Sequence, residues 1–196
     1  MVALSRKTKE TDIKCKLNIN GSGINKIETG IGFFDHMLEA LSKHSGIDIE
    51  LSCKGDLHID YHHSVEDCGI VLGKALKEAI FPIQAVERYG NATVVMDEAA
   101  VSCALDLSNR PFLVYDVNLS EKVGEFDVEL VEEFFHAFVM NAGLTCHIIY
   151  ERGKNKHHIL EAAFKAVAVA LRRAMVKNEK IGIPSTKGVL WLNYLF

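Results

Sequence analysis

The sequence has no basic stretch, and its 22 Lys+Arg against 26 Asp+Glu leave a formal charge of −4. A nucleic-acid surface needs a clustered positive field, so that class of partner is excluded. No apolar run approaches the ~18–20 residues of a membrane-spanning helix. A helical membrane protein is therefore excluded as well. Residues 1–10 carry charges where a secretory signal would be apolar. The five cysteines (Cys15, Cys53, Cys68, Cys103 and Cys146) form no C-x-x-C pair. An odd, scattered set reads as reduced thiols in a cytoplasmic protein, not as a disulfide framework or a structural zinc site. There is no low-complexity linker. What remains is 196 residues of ordinary globular composition, 48% hydrophobic and 24% charged, long enough to bury a core without staples. The unusual feature is nine histidines, because they are clustered.

Hydrophobic periodicity gives the elements. Thr11–Asn20 and Gly46–Cys53 alternate as half-buried strands, while Gly32–His44 and His62–Ile80 show helical faces. Pro82 stands just after the second helix, where a helix has normally stopped. The second half replays this order. Thr93–Asp97, Ala99–Leu107 and Pro111–Val117 read as strands, Asp127–Met140 as a helix, Leu144–Tyr150 as a strand and His157–Met175 as a long helix. A shift of 95 residues carries His62 onto His157, His63 onto His158, Glu66 onto Glu161, Leu76 onto Leu171 and Asp60 onto Asn155. The chain is therefore an internal duplication of the α+β class, each half a small mixed sheet with two helices. The halves are placed at 1–90 and 91–196, within one compact domain.

The repeated motif is HH-x-x-E, as His62-His63-Ser64-Val65-Glu66 and His157-His158-Ile159-Leu160-Glu161. Residues four apart share a helix face, so each first His and its Glu can aim at one ion. Adjacent residues diverge by about 100°, so the two His of a pair serve different ions. This geometry predicts a dinuclear centre to which both helices lend ligands. Imidazole with carboxylate and no thiolate suits manganese, iron, zinc or cobalt. Upstream, His36 lies 26 residues before His62 and Glu133 lies 24 before His157, each followed by two apolar residues. Both are candidates to complete the shells, with His136, one turn past Glu133, as a substitute. His44 closes a helix, where a cation also satisfies the dipole. Pro184-Ser185-Thr186-Lys187-Gly188 groups hydroxyls, amides and an ammonium in one turn, an anion site that Arg88 and Arg110 can join.

The stretches FFDHMLEALSKH, GDLHIDYHHSVEDCGI, MDEA, DLSNRPF, NKHHILEAAFKA and PSTKGVL resemble the imidazoleglycerol-phosphate dehydratase family along almost the full chain. The resemblance implies a duplicated fold like domain 2 of ribosomal protein S5. It implies loss of water from imidazole glycerol phosphate to give imidazole acetol phosphate, a step of histidine biosynthesis. It implies two manganese ions per active site and active sites between subunits of a 24-subunit shell built from trimers. The implied metal ligands are His36, His62, His63, Glu66, His157, His158 and Glu161, with Glu133 where many members have His. Glu10, His44, Glu66 and Glu161 are the implied catalytic groups. Glu10, His36, Arg88, Arg110, Ser185, Thr186 and Lys187 are the implied substrate and phosphate contacts, with Thr186 replacing a common Ser. Two other classes use the same residues. A dinuclear metallohydrolase would activate water with its ions, and a metal-storage protein would need no Lys/Arg phosphate set.

Overall fold

The computed structural model describes residues 1–83 and 85–186. The first half runs β1 (Val2–Lys7), β2 (Thr11–Asn18), β3 (Asn25–Glu28), α1 (Gly32–Ser45), β4 (Asp48–Gly55) and α2 (His62–Ile80). The second runs β5 (Tyr89–Met96), β6 (Ala99–Asp106), β7 (Phe112–Asp116), a short hairpin of β8 (Lys122–Val123) and β9 (Phe126–Asp127), α3 (Leu130–Ala142), β10 (Thr145–Arg152) and α4 (Lys156–Ala174). The sheets are ordered β1-β2-β4-β3 and β5-β6-β10-β7. In each, three strands pair antiparallel and the last joins in parallel, β3 on β4 and β7 on β10. The two halves match strand for strand, and the β8–β9 hairpin is extra in the second. The duplicated α+β architecture expected from the repeat is the one observed.

Helices α1 and α2 cover the first sheet, and α3 and α4 cover the second. The halves then join crosswise, α1 on α4 and α2 on α3, around one continuous core that includes Phe34, Phe134, Phe135 and Phe164. Phe134 meets Phe34 at a 5.3 Å centroid distance and stacks on Phe164 at 5.3 Å, so aromatic contacts bridge the repeats. The α2–α3 approach depends on Gly69, where a Cβ would lie 2.8 Å from the Phe134 carbonyl oxygen.

The differences from expectation have local causes. β1 was not anticipated because an inward-facing position of this edge strand carries Arg6, which breaks the apolar alternation. β3 is four residues long with a single buried side chain, Ile27, too short to show a period. β5 begins at Tyr89, not Thr93. Its second residue is Gly90, where a Cβ would sit 1.9 Å from the Ala170 carbonyl oxygen. A strand that must pass that close to α4 reads as a turn in the sequence. α3 begins at Leu130, not Asp127, because Phe126 and Asp127 pair with Val123 and Lys122 in the hairpin. α2 ends as expected: Phe81, the residue before Pro82, is extended at φ −96° and ψ 140°.

Candidate metal centre and active site

Both HH-x-x-E motifs open their helices, α4 capped by Asn155 and α2 entered at Tyr61 without a side-chain cap, and in each an acceptor two residues upstream takes the amide of the first His. Asp60 Oδ1 accepts the His62 amide at 2.8 Å, and Asn155 Oδ1 accepts the His157 amide at 3.0 Å. The rings of each adjacent pair then diverge. His62 and His63 lie 6.2 Å apart at 90°, and His157 and His158 lie 6.3 Å apart at 83°. The second His of each pair faces a direction of its own.

The crosswise packing of α1 on α4 builds one tight donor group across the repeats. Potential ligand atoms of His36, His157 and Glu161 lie within 4.8 Å of one another. Glu161 Oε2 stands 3.4 Å from His36 Nε2 and 3.1 Å from His157 Nε2, while Oε1 takes the Lys165 ammonium at 2.7 Å. Burial pushes the Glu161 carboxyl up, but Lys165 and His36 together outweigh it and hold the group below the usual range. His44 lies in the same field. Burial lowers its value, the Lys165 and Arg172 charges lower it further, and Glu161 opposes them.

The second His of each motif has its own surroundings, and they match. His63 Nδ1 is 3.0 Å from Asp56 Oδ2 and its Nε2 is 3.9 Å from Glu10 Oε1. His158 Nδ1 is 2.8 Å from Glu98 Oε2 and its Nε2 is 4.0 Å from Asp97 Oδ2. Glu10 stands just before β2, and Asp97 and Glu98 just before β6, in equivalent turns. Sequence reasoning missed Asp56, Asp97 and Glu98. The signal for the last two was available: aligning the β1–β2 turn with the β5–β6 turn sets MDEA opposite KET.

The two motifs do not converge within one chain. His62, His63 and Glu66 are absent from the ligand-distance group, which among the described residues holds His36, His157 and Glu161 alone. The reason is the packing: α4 lies on α1, and α2 lies on α3. Glu133 is half-buried on α3. It belongs to no ligand-distance group among the described residues, and His136 is exposed.

The anion-binding candidates are gathered elsewhere. Arg88 donates Nε to Asp106 Oδ1 at 2.6 Å, Nη2 to Oδ2 at 3.0 Å, and Nη1 to the Pro184 carbonyl at 2.7 Å. Arg110 Nη2 lies 3.7 Å from the same Asp106, with its side chain 71% exposed. The turn bearing Ser185 and Thr186 is therefore tied to Arg88, and Arg110 stands near the same aspartate. Lys187 lies outside the described residues. Arg88, 10% exposed and bonded on three sides, pins the turn, whereas Arg110 presents its charge outward.

Comparison with known proteins identifies the family. The profile of the family described as imidazoleglycerol-phosphate dehydratase matches residues 29–171. A protein of that name from Aliarcobacter butzleri is 81% identical over 97% of this chain and 100% of its own length. One from Sulfurimonas denitrificans is 68% identical with the same coverage. Among solved structures, the dehydratase of Staphylococcus aureus superposes with a TM-score of 0.80 at 40% identity, covering 90% of this chain and 99% of that one. That of Pyrococcus furiosus, in complex with (S)-C348, gives 0.82 at 39%, covering 95% and 99%. With its duplicated sheets, its paired HH-x-x-E helices and its full-length relatives, the chain belongs to the imidazoleglycerol-phosphate dehydratase family, a family of hydro-lyases.

Proposed function

We propose that this enzyme removes water from imidazole glycerol phosphate to give imidazole acetol phosphate in histidine biosynthesis, and that it does so with two manganese ions per active site. The observation that carries the metal reading is the convergence of His36, His157 and Glu161 from opposite repeats. Two imidazole nitrogens and a carboxylate oxygen, without thiolate, suit a hard to borderline divalent ion. His36, His62, His63, Glu66, Glu133, His157, His158 and Glu161 would hold the pair. Bound there, the ions supply Lewis acidity toward the imidazole ring of the substrate, whose C–H is otherwise too weakly acidic to give up a proton.

The remaining chemistry belongs to the protein. Hydroxide leaves from the carbon next to the ring and a proton from the neighbouring carbon, together making the water lost, and the resulting enol becomes the ketone. Glu10, whose carboxylate lies 3.9 Å from His63 Nε2, carries that proton. Arg110, with Ser185, Thr186 and Lys187, holds the phosphate and orients the reacting carbons, while Arg88 braces their turn. Because α2 and α4 face apart within one chain, a centre fed by both motifs needs a second subunit. That supports active sites at subunit contacts, in the 24-subunit shell of trimers that the resemblance implies. Five free, buried thiols support a cytoplasmic setting; no helix among the described residues is long and apolar enough to cross a membrane.

Turnover of imidazole glycerol phosphate after chelation and manganese add-back tests the reading. The expected result is loss of ketone formation on chelation and its return with manganese. Phosphate release without ketone would favour a metallohydrolase, and full activity in the chelated enzyme would end the metal reading.

A further inference from the structure

We propose that Glu98 is a positioning residue that fixes the tautomer and aim of His158, as Asp56 does for His63. This rests on the reading that both histidines are metal ligands. A carboxylate can only accept, so a Nδ1 held against one carries the hydrogen and leaves the lone pair on Nε2. Glu98 Oε2 lies 2.8 Å from His158 Nδ1. Its other oxygen accepts the amides of Lys154 at 3.0 Å and Asn155 at 2.7 Å. Asn155 in turn caps α4. The carboxylate is thus bolted to the backbone that starts the helix and cannot swing away from the ring. On the first half, Asp56 Oδ2 lies 3.0 Å from His63 Nδ1.

Descent from a common half does not explain the pair. The 95-residue shift carries Asp56 onto Glu151, and Glu151 accepts the Ser102 hydroxyl at 2.6 Å instead. Glu98 comes from the β5–β6 turn, whose first-half counterpart holds Glu10. Two carboxylates from non-equivalent places therefore meet the same nitrogen of equivalent histidines. In both halves Nε2 is left on the side of a second acid about as far away, Glu10 at 3.9 Å and Asp97 at 4.0 Å. A ligand histidine needs its outer nitrogen fixed in this way to keep its donor atom aimed.

The test is Glu98→Gln. The glutamine carbonyl can still take the two amides, but its NH2 group faces Nδ1 and drives the ring hydrogen to Nε2. Magic-angle-spinning NMR of histidine-labelled, metal-free protein, at a pH where imidazoles are neutral, reads the tautomer directly. The expected result is an Nδ1–H tautomer for His158 in the unaltered protein and Nε2–H in Glu98→Gln. Manganese titration should show one binding step weakened about 10–100-fold, with Glu98→Asp recovering part of it. An Nε2–H tautomer in the unaltered protein, or a Glu98→Gln variant with unchanged tautomer and affinity, overturns the proposal. If Glu98→Gln does not fold, the tautomer of the unaltered protein decides. An Nδ1–H His158 in a protein that binds no manganese would uphold the positioning role and end the metal reading instead.

Discussion

Asp67 of α2 anchors the start of the chain to the helix of the first HH-x-x-E motif. Its Oδ2 accepts both the Arg6 guanidinium and, at 2.5 Å, the Thr11 hydroxyl. Arg6 and Thr11 flank the turn that carries Glu10. A buried aspartate one residue after Glu66 therefore sets how far Glu10 stands from His63.

Replacing Asp67 with Asn should weaken both contacts and let that turn drift. A hydrogen bond to a charged group is worth about 1.5–3 kcal/mol, so urea unfolding should show a loss of that size. Manganese binding should stay close to normal while kcat falls, if Glu10 carries the proton as proposed. Unchanged kcat with reduced stability would confine Asp67 to a structural role.

The two histidine–carboxylate pairs predict opposite pH trends for folding and metal binding. The Glu98 contact first, and its charge and that of Asp97 next, hold His158 above its ordinary value of 6.5, and Asp56 does the same for His63. The Asn155 amide, then His158, hold Glu98 down at about 2. The histidine contribution to stability is full below 6.5 and is lost as pH rises through the raised values. The carboxylate contribution is full above the ordinary acid range and is lost as pH falls toward 2. Chelated protein should thus lose this stabilisation as pH rises above 6.5 through the raised histidine values. Over the same range manganese affinity should rise, because a ligand imidazole must be neutral. Calorimetry with and without chelator checks both slopes. A manganese affinity that falls toward alkaline pH would contradict the ligand assignment.

The two arginines should separate experimentally. Arg110→Ala should raise KM about ten-fold with unfolding unchanged, as expected for an outward-facing phosphate contact. Arg88→Ala should also lower stability, by about 3 kcal/mol, because it removes both guanidinium bonds to Asp106 and releases the Pro184 carbonyl. Equal stability losses in both variants would remove the distinction.

Glu133 should behave as a ligand from the α3 side. Glu133→His is expected to keep two manganese-binding steps and much of the activity, whereas Glu133→Ala should lose affinity at one step. Two unchanged steps in Glu133→Ala would shift the role to His136 or to water. Isothermal titration distinguishes these outcomes.

Dissociation on chelation should follow if ligands come from different subunits. Light scattering of chelated protein should show the particle loosening toward trimers. An unchanged mass would show that assembly does not need the ions.

Local pattern alone determined much of this protein. Alternation and helical period located the long helices and central strands. The 95-residue shift exposed the duplication, and the matching acceptors Asp60 and Asn155 take the amide of each motif's first His. These features are legible because they depend on neighbours a few residues apart. What only the tertiary structure decided depends on long-range packing. Edge strand β1 hides behind inward Arg6, whose partner Asp67 is 61 residues away. β5 passes Gly90 against α4. The crosswise pairing of α1 with α4 joined His36 to His157 and Glu161 while leaving the α2 motif elsewhere. The roles of Asp56 and Glu98 emerged only when two turns without matching sequence met equivalent rings. Spacing along a helix says which side chains share a face, but only the packing of one helix on another says what that face meets.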